Sequence, residues 1–133
     1  MSKLDTLINT SAFKINIFTD GSKVKDKSCS GAYVIYSLSA VPIVGNIKLQ
    51  LNNSVYQSEA AAILLALKHI QLTPDIPPSE ITIYTDSESV LKSLKSPRIT
   101  TETILKLHTL LVELSSKHRI TLCWVPGHSL SLI

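Results

Sequence analysis

The chain has 133 residues, 44% of them hydrophobic and 17% charged. That length and balance define one globular domain and exclude a disordered chain. A net charge of +3 is too small to argue by itself for a polyanionic partner. The two cysteines, Cys29 and Cys123, have neither zinc-site nor disulfide-framework spacing, so free thiols with no disulfide partner are expected. The N-terminus lacks the apolar stretch of a signal peptide. The longest apolar run, Ala60 to Leu67, falls well short of the roughly 20 residues that cross a bilayer. The expectation is an intracellular protein, nuclear or cytoplasmic, with no membrane partner. Residues 1–12 read as an N-terminal extension and 13–133 as the domain.

Phe13 to Phe18 alternates apolar and polar residues and predicts a strand, ended by Thr19-Asp20-Gly21-Ser22. Lys23 to Ser30 reads as a polar loop, which places Cys29 in it. Gly31 to Tyr36 is a second strand, rich in aromatic and β-branched residues. A third, weaker strand lies between Val41 and Leu51, where Pro42 and Gly45 mark a sheet edge. Tyr56 to Ile70 predicts a helix, with Ala60, Ile63, Leu64, Leu67 and Ile70 at helical spacing. Proline at 74, 77 and 78 ends it. Ile81 to Thr85 is a fourth strand, and Asp86 or Ser87 caps a short helix through Leu94. Ile104 to Leu114 is a further amphipathic helix, and Ile120 to Val125 is the last strand. Three strands, then strand–helix–strand crossovers, imply a mixed sheet with helices packed on it.

Three acids stand out by position. Taken singly, Asp20 in Asp-Gly is a turn residue. Glu59 is an acid at a positive helix end, and Asp86 is a helix cap. Together they are two aspartates leaving two strands and a glutamate in the first turns of the intervening helix. If those strands are neighbours, three carboxylates converge and need a cation to relieve their repulsion. All-oxygen donors select Mg²⁺ or Mn²⁺. Two such ions about 4 Å apart can activate water and stabilise the leaving oxygen in phosphodiester cleavage. Strand parity groups Asp20 with Asn16 and Phe18, and Asp86 with Thr82 and Tyr84, opposite the isoleucines at 15, 17, 81 and 83. Glu88, by contrast, reads as an exposed helix residue pointing away from Asp86.

Phe18-Thr19-Asp20-Gly21-Ser22, Gln57-Ser58-Glu59-Ala60, Tyr84-Thr85-Asp86-Ser87 and Trp124-Val125-Pro126-Gly127-His128 resemble, in order, the motifs of type 1 ribonuclease H. The wording is most similar to that of non-LTR retrotransposon domains. The resemblance implies an α/β fold whose five-stranded mixed sheet has three antiparallel strands followed by two parallel ones, flanked by helices. It implies hydrolysis of the RNA strand of RNA–DNA hybrids, with Asp20, Glu59 and Asp86 holding Mg²⁺ or Mn²⁺, two ions in the complete site. His128 would assist proton movement or product release. Gly21, Ser22, Asn53, Gln57 and Ser87 would meet the substrate, Asn53 and Gln57 near RNA 2′-hydroxyls. Lys23, Lys25, Lys27, Lys92, Lys95 and Arg98 could meet phosphates, though solvated surface charge explains each as well. Origin within a longer reverse-transcriptase polyprotein is a further implication.

The family pattern continues past Gly-His to a fourth aspartate and a closing helix, whereas no acidic residue follows Glu113 here. The expectation is a C-terminally truncated domain lacking that helix, with weak or absent cleavage. The alternative is an inactive retroelement remnant that only binds hybrid or protein.

Overall fold

The structure, a computed structural model, describes residues 13–24, 28–36, 41–49, 55–96 and 101–126, with only the backbone of residues 22–24 and 28. Five strands form one sheet: β1 (Phe13–Val24), β2 (Ser28–Tyr36), β3 (Ile43–Leu49), β4 (Ser79–Thr85) and β5 (Arg119–Trp124), in the order β3-β2-β1-β4-β5. The first three pair antiparallel, and β1–β4 and β4–β5 pair parallel. Three helices are interleaved: α1 (Val55–Gln71), α2 (Glu88–Lys95) and α3 (Glu102–Ser115). This is the mixed sheet expected from the sequence.

Alternation along the strands sets the layers. Ile15, Ile17, Ile81 and Ile83 are fully buried and share one core with Ile63, Leu67 and Ile70 of α1 and Ile104 and Leu107 of α3. Asn16, Phe18, Thr82 and Tyr84 have the other parity and remain half-exposed. There the Phe18 ring stacks on Tyr84 at 4.6 Å and meets Tyr36 edge-on at 5.7 Å. The predicted division of faces is therefore present.

The helix ends follow local chemistry. Beyond α1, the Thr73 hydroxyl donates to the His69 carbonyl at 2.8 Å, and Pro74 follows. Lys68 and His69 in the last turn oppose the negative end of the helix dipole. α3 opens on Thr101, whose Oγ1 accepts from the Ile104 N–H at 3.1 Å.

Two boundaries differ from expectation. β1 runs to Val24 and β2 begins at Ser28, so most of the anticipated Lys23–Ser30 loop is hairpin ladder. Local polarity suggested a loop, but cross-strand pairing outweighs residue propensity at this edge. Cys29 is consequently a buried strand residue; it and Cys123 are free thiols. No described helix is long and apolar enough to cross a membrane.

His118, just before β5, is buried, and its Nδ1 accepts from the Ser79 N–H at 3.1 Å. Burial, and secondarily the charge of Lys117, lower its pKa below the usual 6.5. The unfolded chain therefore binds this proton more readily than the fold does, and stability from this contact is lost as pH falls through 6.5. His118→Leu is expected to cost about 1–3 kcal/mol at pH 8, by leaving a buried N–H unpaired. It should cost less at pH 5, as urea unfolding at the two values will measure.

Candidate active site

The carboxylates meet where β4 stops and β1 does not. The parallel β1–β4 register includes Phe18↔Tyr84, so Asp20 and Asp86 each lie two residues further along adjacent strands. Asp20 is still inside β1, paired with Ala32 of β2. The turn role considered for it is thus excluded: its backbone belongs to the hairpin ladder while β4 has already ended at its side.

Asp86 is likewise released from the alternative role considered for it. Ser87, not Asp86, caps α2: the Val90 N–H donates to Ser87 Oγ at 3.2 Å, with Ser87 in extended geometry. Around Asp86 the backbone is pinned from three sides. Thr19 Oγ1 donates to the Tyr84 carbonyl at 3.3 Å. The Ser87 N–H donates to the Thr85 hydroxyl at 3.1 Å, and the Val125 N–H to the Thr85 carbonyl at 2.9 Å. The Trp124 indole N–H donates to the Asp86 carbonyl at 3.3 Å. Asp86 Oδ1 is buried with no hydrogen-bond partner.

Glu59 comes close to the sheet because the first turns of α1 seat on two glycines there. A Cβ on Gly21 would overlap the Glu59 side chain and the Ser58 hydroxyl and lie 2.9 Å from the Glu59 nitrogen. A Cβ on Gly31, the Gly21 partner across the hairpin, would overlap the Ser58 carbonyl oxygen and lie 3.1 Å from Ala62 Cβ. Ser58 is fully buried in that contact, its hydroxyl donating to the Val55 carbonyl at 2.8 Å. Glu59 is 7% exposed. Burial, a side-chain hydrogen bond to Asp86, and the charges of Asp86 and Asp20 push its pKa up to about 9, against a smaller opposing contribution from Ser87. At neutral pH Glu59 therefore holds a proton between itself and Asp86.

These donors suit a hard divalent cation: all are carboxylate oxygens, they repel one another, and one buried oxygen has no partner. Among the described residues, no three His, Cys, Asp or Glu side chains are already spread as a cation cage.

The remaining expected site residues divide. Gly21 is the seat of α1, Gln57 is exposed in its first turn, and Ser87 is the α2 cap. Ser22 lies in β1, paired with Ser30, with only its backbone described. Asn53 and His128 fall outside the described residues. Glu88 is exposed and paired with Lys92 at 2.7 Å, as anticipated. Gly31, Ser58 and Thr19 were missed as supports. Their only sequence signal is a small or hydroxyl-bearing residue beside a motif, which does not distinguish them from ordinary strand and helix residues.

A five-stranded sheet of this order, carrying one acid within β1, one just past β4 and one on the first crossover helix, defines the ribonuclease H-like class of fold. The RNase H1 of the halophilic archaeon Halobacterium salinarum NRC-1 is similar in structure, with a TM-score of 0.60 and 19% identity over 86% of each chain. The family profile for RNase H matches residues 13–131, and the chain belongs to that family. A search of curated proteins gave no match.

Proposed function

We propose that this chain hydrolyses the RNA strand of RNA–DNA hybrids endonucleolytically, with a divalent cation held by Asp20, Glu59 and Asp86. The observation that carries the reading is the convergence of a buried glutamate with Asp20 of β1 and Asp86 just past β4, in a chain of the RNase H family. A bound Mg²⁺ or Mn²⁺, two ions in the full site, would supply water activation and charge neutralisation at the scissile phosphate. The residues supply the rest. Asp20 and Asp86 would present carboxylate oxygens to the cation, and Glu59 would have to give up its proton to join them, so that loading would strengthen as pH rises. By resemblance to the family, Gly21, Ser22, Asn53, Gln57 and Ser87 would meet the RNA strand, Asn53 and Gln57 at its 2′-hydroxyls. His128 moves a proton during turnover or release. Phosphate contacts give affinity without base readout. The four-motif wording suggests a non-LTR retrotransposon origin within a reverse-transcriptase polyprotein and action inside the cell, in nucleus or cytoplasm.

A second reading is hybrid binding with little cleavage. One panel separates the readings. Hybrid, duplex DNA and duplex RNA are incubated with the protein in Mg²⁺ and in Mn²⁺. The expected result is cutting of the hybrid's RNA strand alone, lowered on the order of 10²–10³-fold by Asp20→Asn. Equal cutting of duplex DNA would sink the hybrid-specific reading. Binding without cutting in either metal would support the second.

A further inference from the structure

We infer that Trp124 is a positioning residue for Asp86, a role that rests on the carboxylate-site reading above and adds a residue to it. Trp124 ends β5, paired with Thr85 at the end of β4. Its side chain is 46% exposed, so core packing does not account for a tryptophan here. Its indole N–H donates to the Asp86 carbonyl at 3.3 Å. That contact reaches the residue just past the last β4–β5 ladder pair, where strand pairing no longer holds the chain.

The next contacts show why this matters. Asp86 sits between the last residue of β4 and the Ser87 cap of α2. Thr19 fixes the strand one side of it, through the Tyr84 carbonyl, and Ser87 fixes the other, through Thr85 and Val90. The indole holds the peptide of Asp86 itself. The Oδ1 oxygen of Asp86 is buried and without a hydrogen-bond partner, so the carboxylate is held only by its side-chain contact with Glu59 and by its own backbone. The direction in which the carboxylate leaves the backbone then depends on how its peptide is held. A planar indole clamped by β5 supplies that restraint across a parallel strand pair, and a phenyl ring of similar girth cannot, because it carries no donor. Supporting residues of this kind change cation affinity without touching the ion.

The chain has a single tryptophan, so tryptophan emission reports the surroundings of this one indole. The test uses the whole chain, MnCl₂ and the variants W124F and D86N. Calorimetry measures Mn²⁺ uptake, emission follows Trp124, and steady-state cleavage of a hybrid gives kcat and KM. W124F is expected to weaken Mn²⁺ binding about tenfold, in the range for residues that support metal ligands, and to lower kcat with KM for the hybrid unchanged. Mn²⁺ should alter Trp124 emission in the wild-type chain, with the midpoint of the calorimetric curve, and leave it unaltered in D86N. Should W124F fail to fold, the emission titration of wild type and D86N still decides. Uptake with W124F equal to wild type, or saturation with no change in wild-type emission, overturns this inference alone. A wild-type chain that takes up no Mn²⁺ overturns the metal-site reading and this inference with it.

Discussion

Glu59→Gln is expected to give a protein that melts higher and cuts less. The folded chain raises the Glu59 pKa from 4.5 to about 9, through burial first and then its contacts with Asp86 and Asp20. A carboxyl raised in this way takes up a proton on folding at any pH between those values. Stability therefore declines as pH rises from about 4.5 toward 9, because the unfolded chain releases the proton that the fold must retain. At about 1.4 kcal/mol for each pH unit above 4.5, the cost at pH 7 is roughly 3 kcal/mol. Glutamine keeps the shape and hydrogen-bonding capacity without the proton demand. The variant should melt about 10–15 °C higher at pH 7 for a chain of this length. The gain should vanish near pH 4 and widen toward pH 9, which thermal unfolding across that range will check. Cleavage of hybrid should fall on the order of 10²–10³-fold, since an amide cannot supply the charge that Glu59 supplies once its proton leaves. A Glu59→Gln variant that melts lower than wild type at pH 8 would contradict the burial cost assigned to this carboxyl.

Gly21→Ala is expected to damage stability and activity together. The added Cβ would overlap both the Glu59 side chain and the Ser58 hydroxyl, and would press on the Glu59 backbone nitrogen at 2.9 Å. The Glu59 side chain could swing aside, but the backbone of the first turn of α1 could not without lifting the helix from the sheet. Overpacking of this kind costs about 1–3 kcal/mol, measurable as a lower urea midpoint. Moving Glu59 by about 1 Å is enough to cost about 100-fold in rate. Restoring temperature or osmolyte conditions that fold the variant fully should leave most of that rate loss in place, because the carboxylate remains displaced. Full activity in a folded Gly21→Ala chain would show that α1 can shift without moving the site.

The sheet and its carboxylates were legible in the sequence for a physical reason. Isoleucines at 15, 17, 81 and 83 alternate with polar or aromatic residues, so each strand announces a buried face and the parity of its last acid. Glu59 could be assigned to the first turns of α1 from helical spacing alone. The extent of β1 was hidden. Asp20-Gly21-Ser22 has turn composition, yet antiparallel pairing with Ala32, Gly31 and Ser30 carries the strand through it. Hidden too were the contacts that hold the acids: the Gly31 seat for Ser58, the Thr19 hydroxyl across to β4, and the indole on the Asp86 carbonyl. None has a periodicity or spacing, because each joins residues whose proximity comes only from the order of strands in the sheet.

The close seat of α1 on Gly21 and Gly31 bears on how sequences of this fold should be judged. Any missense change in either codon adds a Cβ at a place already filled by Ser58 or Glu59. A chain can thus keep Asp20, Glu59 and Asp86 and still lose the packing that brings Glu59 to the sheet. A count of acids would pass such a chain as intact, and the two glycines belong in the same count.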